Sequence, residues 1–281
     1  MTITDQNSTR ISKRFAELRA AGELGIVAYI TAGDPSFDAT LKFVLALAEA
    51  GADIIELGVP FSDPLADGPT IQRASERALK AGASLAGVLA LVHRIRETSQ
   101  VPLVLFTYFN PVLQMGLEKF AAAAAQAGAD GVLVTDLTPE ESEEYRRIIH
   151  AQNLDTIFLA APTSDDERLR IISACSSGFL YLISRTGVTG AKDSLPDDLP
   201  GLLRRVRHFT ELPVAVGFGI SLPGHVSVLG GLADAAVVGS ALVSEIEKAS
   251  SVESACAALR DRIKVLKEAG RRGLSRREAT I

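Results

Sequence analysis

The chain has 281 residues, 47% of them hydrophobic and 22% charged, enough apolar material for one large core and a length within the single-domain range of α/β barrels. Its 29 basic and 34 acidic residues leave a net charge of −5 without a basic stripe to track a phosphate backbone, which argues against a nucleic-acid partner. The first twenty residues mix Asp5, Arg10, Lys13, Arg14 and Glu17 with polar side chains instead of an apolar secretion core, and Asn110, Pro111 and Gln114 interrupt the longest apolar run before it reaches the roughly 18 residues a bilayer requires, so a cytoplasmic protein without a membrane partner is expected.

Taken in chain order, residues 12–21 read as an extra N-terminal helix placed under a barrel. Short β-branched runs then alternate with helical patterns: strands are predicted over 26–31, 53–57, 103–106, 131–135, 156–159, 179–183, 214–216 and 235–238. The second unit carries an additional helix, 71–81 followed by 85–97, with Gly82 supplying the stop and Ser84 the next N-cap. Thr138-Pro139-Glu140-Glu141 reads as a capping box with proline at the first helical position. Eight strand–helix repeats imply parallel strands, right-handed crossovers and closure into a (β/α)8 TIM barrel of α/β class. The whole chain, 1–281, forms one domain, with 1–10 and the basic stretch 271–281 as tails.

The joints before three strands repeat: Ala50-Gly51-Ala52-Asp53, Ala127-Gly128-Ala129-Asp130 and Gly231-Leu232-Ala233-Asp234. A glycine there fits the left-handed position that ends a helix, so these are structural repeats. Cys175 and Cys256 lie far apart without a CxxC partner, and His93, His150, His208 and His225 show no ligand spacing; reduced thiols and no metal site are expected.

Barrel enzymes place their chemistry on the loops that follow the strands. At the end of the second strand Glu56 interrupts an apolar run, where a carboxyl is costly unless it is paired or shaped into a pocket. The next loop is stiffened by Pro60, Pro64 and Pro69 and carries Asp63 and Asp67. Asp67, ahead of Gly68, is accounted for by turn chemistry, which leaves Asp63 as the acid to pair with Glu56. Asp136 closes the fourth strand beside the capping box and reads as structural. The long polar stretch after Ser184-Arg185-Thr186-Gly187-Val188-Thr189-Gly190 reads as a lid or binding loop. Gly217-Phe218-Gly219-Ile220-Ser221 and Gly239-Ser240-Ala241, after adjacent strands, read as a cradle for a phosphate, built from backbone N–H groups and a helix N-terminus.

Glu56-Leu57-Gly58-Val59-Pro60-Phe61-Ser62-Asp63-Pro64-Leu65-Ala66-Asp67-Gly68-Pro69 resembles the signature of the tryptophan synthase alpha subunit family. The resemblance extends through Ile30-Thr31-Ala32-Gly33-Asp34-Pro35, the 184–190 segment and 217–221, covering about residues 24 to 245. It implies retro-aldol cleavage of indole-3-glycerol phosphate to indole and glyceraldehyde 3-phosphate. By motif, Glu56 would be the general acid/base and Asp63 would answer positive charge at the indole nitrogen. Tyr181, Phe106, Tyr108, Leu133, Tyr29 and Thr189 would line the substrate pocket, and Gly190, Phe218, Gly219, Gly239 and Ser240 would hold the phosphate. No cofactor or metal is implied in this chain; the implied partner is a pyridoxal-phosphate beta subunit, in an assembly of two alpha and two beta chains. Tyr29 departs from a frequent phenylalanine and Thr138 from a frequent proline. A stand-alone lyase releasing free indole is the alternative in this fold. A non-catalytic activating barrel is disfavoured by the two acids, and a sugar-phosphate isomerase or epimerase has no need of the Asp63 loop.

Overall fold

The computed structural model describes residues 9–184, 196, 198–217 and 219–278, with side chains described as far as Arg271. Helix α1 (Arg10–Ala21) precedes β1 (Gly25–Thr31), α2 (Phe37–Glu49), β2 (Ile54–Gly58), α3 (Pro69–Lys80), α4 (Leu85–Arg96) and β3 (Leu103–Thr107). Then follow α5 (Phe109–Met115), α6 (Leu117–Ala127), β4 (Gly131–Val134), a 3-10 turn (Pro139–Glu141), α7 (Glu143–Ala151), β5 (Asp155–Ile157), β6 (Leu159–Ala160), α8 (Asp166–Cys175) and β7 (Leu180–Ile183). The chain ends with α9 (Leu199–Arg207), β8 (Val214–Gly217), α10 (Pro223–Leu229), β9 (Ala235–Val238), α11 (Ser240–Lys248) and α12 (Val252–Glu278).

The strands are parallel in the order β5-β4-β3-β2-β1-β9-β8-β7-β6. β5 and β6 are two halves of the predicted strand 156–159, interrupted at Phe158: the first half pairs with β4 and the second with β7, so the ring of eight closes through a kinked strand. Across each strand the residues alternate between two cores. Val27, Ile54, Val104, Leu133, Tyr181, Ala215 and Val237 fill the inside, while Ile26, Ile55, Leu105, Val132, Leu182, Val216 and Ala236 pack outward under the helices. α1 plugs the bottom with Ile11, Phe15 and Leu18, all buried in the inner cluster.

The repeated aspartates explain how the bottom is stitched. Asp53 accepts the N–H of Ile26 at 2.6 Å, Asp130 that of Leu103 at 2.8 Å and Asp234 that of Val214 at 2.7 Å. Each carboxylate thus satisfies an N–H at the start of the neighbouring strand, and each is paired with a cation, as the buried charges of Asp53 and Asp130 require: Asp53 with Arg14 and Lys267, Asp130 with Arg10 and Arg96, Asp234 with Arg207.

Two local readings change. Thr138 makes no capping hydrogen bond to the backbone and a 3-10 turn intervenes before α7 begins at Glu143. At the other end, α12 runs on to Glu278 through the stretch read as a basic tail from residue 271: Arg271, Arg272, Leu274, Arg276 and Arg277 are all good helix formers. Among the described residues no single helix is long and apolar enough to cross a membrane.

Candidate active site

At the C-terminal mouth of the barrel lies a cavity of about 380 Å³. Its wall is mostly apolar, with Ile71, Phe106, Leu159, Ile183 and Val237 among its lining residues, and it receives two carboxyl groups, Glu56 and Asp67.

Glu56 sits between Ile54 and Gly58 on the inward face of β2, with Tyr29 and Val104 beside it in register. It is fully buried, and neither carboxyl oxygen has a hydrogen-bond partner among the described residues. Burial alone pushes its carboxyl up to about 8, because nothing offsets the loss of water around the charged form. The group is therefore mostly protonated at neutral pH and able to give that proton to a ligand. Two tyrosines flank it. The hydroxyl of Tyr29 occupies the space over Gly58 and that of Tyr181 the space over Gly217, where a Cβ would collide with either ring. These two glycines are thus room for tyrosines. Burial raises both hydroxyls above the ordinary range, and both feel the charges of Glu56 and Asp67; all four groups face one chamber.

The loop after β2 divides at Leu65. Asp63, the acid singled out from the sequence, is exposed and does not line the cavity; its carboxylate accepts from the Ser62 hydroxyl at 2.6 Å and its carbonyl from Leu65 N–H at 2.9 Å. Asp67 takes the inward position. It is buried, and Tyr108, from the end of β3, accepts Ala66 N–H at 3.0 Å while donating to Asp67 at 3.1 Å. Burial raises the Asp67 carboxyl to about 6 although the Tyr108 hydrogen bond pulls it down. The physical reason for the exchange lies in the fold of the loop: a turn at Asp63 directs the first acid outward, and Gly68 and Pro69, opening α3, bring the second back to the mouth.

The other expected residues separate accordingly. Tyr29, Phe106, Tyr181, Gly219, Gly239 and Ser240 line the cavity. Tyr108 stands behind the loop as the anchor of Asp67, and Leu133, fully buried in the inner cluster, lies beneath the cavity wall. Strand pleating explains Leu133: the next inward side chain at the mouth is Thr135, which does line the cavity. Thr189, Gly190 and Phe218 lie outside the described residues. Asp136 accepts Phe109 N–H at 2.7 Å and caps the start of α5, the structural role read for it. The sequence reading passed over Thr135, Leu159 and Ile183, which line the cavity from the residue after β4, from β6 and from the end of β7.

On the loops after β8 and β9, Gly219 has φ +88, which L-residues rarely adopt, and Gly239 is the N-cap of α11, with Ser240 as its first residue. Close backbone approach and a helix N-terminus at the same wall suit an anionic group. Among the described residues no three His, Cys, Asp or Glu side chains come together as a metal site.

A (β/α)8 barrel whose mouth holds two carboxyl groups, Glu56 and Asp67, in a mostly apolar chamber has the architecture of a barrel enzyme with its site on the loops after the strands. The family model for the tryptophan synthase alpha chain matches residues 15–271. The tryptophan synthase alpha chain of Solibacter usitatus is 55% identical over 240 residues, 85% of this chain and 90% of the relative. Mycobacterium tuberculosis tryptophan synthase superposes with a TM-score of 0.86 at 36% identity, covering 94% of this chain and 99% of that one. A chain of the tryptophan synthase complex from Pyrococcus furiosus gives 0.80 at 42% identity, with 87% and 97% covered. The chain belongs to the tryptophan synthase alpha chain family, and it is a lyase that cleaves indole-3-glycerol phosphate to indole and glyceraldehyde 3-phosphate.

Proposed function

We propose that Glu56 and Asp67 carry the cleavage, with the indole ring in the apolar chamber and the phosphate at Gly219, Gly239 and Ser240, joined there by Gly190 and Phe218. The observation that carries this reading is the Glu56 carboxyl, wholly buried in the cavity wall and without a hydrogen-bond partner among the described residues.

Breaking the bond between indole C3 and the glycerol chain requires a proton at C3 and removal of one from the adjacent hydroxyl. Glu56, protonated at neutral pH, gives its proton to C3; positive charge then develops at the ring nitrogen, where the Asp67 carboxylate accepts the N–H hydrogen bond. The carbon–carbon bond breaks with its electron pair returning to the ring, the hydroxyl oxygen becomes the aldehyde carbonyl, and its proton passes to the Glu56 carboxylate. Glu56 ends as it began, so no external proton is consumed. Tyr29, Phe106 and Tyr181 hold the ring against Glu56, with Thr189 contributed by the 184–190 segment.

The released indole passes to a beta subunit, in an assembly of two alpha and two beta chains, and the pyridoxal phosphate belongs to that partner. The complex from Pyrococcus furiosus supports a partnered enzyme. Indole release from indole-3-glycerol phosphate by the isolated chain, with and without a family beta subunit, tests it: acceleration by the partner is expected. High turnover alone, with no binding or acceleration by the partner, would return the chain to the stand-alone lyase.

A further inference from the structure

The backbone after β8, which brings Gly219, Ile220 and Ser221 to the cavity, is fastened at both ends. At the first, Ser184 donates to the Gly217 carbonyl from its backbone N–H at 3.0 Å and from its hydroxyl at 2.8 Å. At the second, the buried imidazole of His225 accepts the backbone N–H of Ser221 at Nδ1, 3.4 Å away. An N–H donating to Nδ1 puts the ring proton on Nε2, and that buried atom has no hydrogen-bond partner among the described residues. An aliphatic side chain would spare the fold this unpaired donor; the hydrogen bond that Nδ1 accepts from Ser221 is what the imidazole supplies in its place.

Its place in α10 explains how it reaches. Leu222 is the N-cap and Pro223 the first helical residue, which makes His225 the third. From that position a glutamate or glutamine side chain folds back to accept an N–H at the start of its own helix; His225 does so one residue earlier, on the loop itself. α10 is in turn tied to α12, where the Ser227 hydroxyl donates to the Ala269 carbonyl at 2.9 Å. The loop is thus hung on a fixed body through one imidazole nitrogen.

We propose that His225 is a positioning residue for the substrate's phosphate: by holding the Ser221 N–H it sets the 219–221 backbone that forms one wall of the phosphate end, without touching the ligand. The inference rests on the reading of Gly219, Gly239 and Ser240 as that end. It makes binding of the phosphate, and not the chemistry at Glu56, sensitive to a side chain outside the cavity lining.

Steady-state kinetics of the full chain test it, with indole-3-glycerol phosphate, with phosphate-free indole-3-glycerol, and with inorganic phosphate as inhibitor. His225→Ala is expected to raise KM for the phosphorylated substrate and the inhibition constant of phosphate by about tenfold each, with kcat and the phosphate-free reaction within about twofold. His225→Gln, which keeps an acceptor at the same reach, restores both. His225→Met, which keeps the bulk without the acceptor, serves if alanine does not fold. Equal losses on both substrates, or a lowered Tm with unchanged KM, would overturn the inference. Ser240→Asp, which sets a negative charge at the start of α11, separates the two readings: if it raises KM while His225→Ala and His225→Met do not, the inference alone fails; if it changes neither KM nor phosphate inhibition, the phosphate assignment fails and the inference with it.

Discussion

The Tyr108 hydroxyl donates to the Asp67 carboxylate at 3.1 Å and accepts the Ala66 N–H at 3.0 Å, so one side chain from the end of β3 folds the loop after β2 into the cavity mouth. Asp67 owes both its inward position and part of its charge to this contact.

Tyr108→Phe removes both hydrogen bonds while keeping the ring, which packs 5.1 Å from Phe61. A hydrogen bond to a charged group contributes roughly 1.5–3 kcal/mol, so kcat/KM for indole-3-glycerol phosphate is expected to fall roughly tenfold to a hundredfold with little change in Tm. An unchanged kcat/KM would show that Asp67 reaches its place without Tyr108.

The two acids of the loop are separable. Asp67→Asn is expected to lower kcat by roughly a hundredfold or more, by the loss of a preorganised charge at the ring nitrogen, whereas Asp63→Asn in the isolated chain stays within about threefold. Assay of both variants side by side decides the matter; the reverse order would place Asp63 in the chemistry after all.

The pH dependence follows from the two carboxyls. Asp67 must be ionised and loses its charge as pH falls through about 6, while Glu56 must be protonated and loses its proton as pH rises through about 8. A bell-shaped kcat/KM with its maximum near pH 7 is expected. Phosphate-free indole-3-glycerol gives the cleaner profile, because the phosphate itself titrates near 6. In Asp67→Asn the acid limb disappears; a limb that persists belongs to another group.

Glu56 also burdens the fold. Its native value lies above the ordinary carboxyl value of 4.5, so between about 4.5 and about 8 the native state binds more protons than the unfolded chain and stability falls as pH rises. Glu56→Gln removes that slope. Its unfolding free energy from denaturant titration is expected to match the parent's near pH 4 and exceed it progressively up to about pH 8, by at most about 1.4 kcal/mol per pH unit. A constant difference across that range would mean that burial does not raise the Glu56 carboxyl.

Much of this was legible in the sequence because the signals were local. The eight strands and the paired helices after β2 followed from periodicity and caps, and Glu56 stood out as a lone acid in an apolar strand. The direction of the following loop was not legible. Asp63 and Asp67 have the same chemistry on the same stiff segment, and which one turns inward depends on the turn at Asp63 together with a contact from Tyr108, 41 residues away along the chain from Asp67. Leu133 was misplaced for a related reason: pocket depth depends on strand pleat and register, which put Thr135 at the mouth and Leu133 one inward position deeper. The kink at Phe158, where the strand changes partner from β4 to β7, likewise arises from neighbours far along the chain.

The measurement that bears most directly on Glu56 as the proton carrier is single-turnover cleavage of indole-3-glycerol phosphate by Glu56→Gln, with substrate binding followed by calorimetry on the same preparation. The amide keeps the shape of the side chain and cannot transfer the proton, so cleavage is expected to fall at least about a thousandfold with the dissociation constant within a few-fold of the parent's. Near-normal turnover in this variant would contradict the assignment.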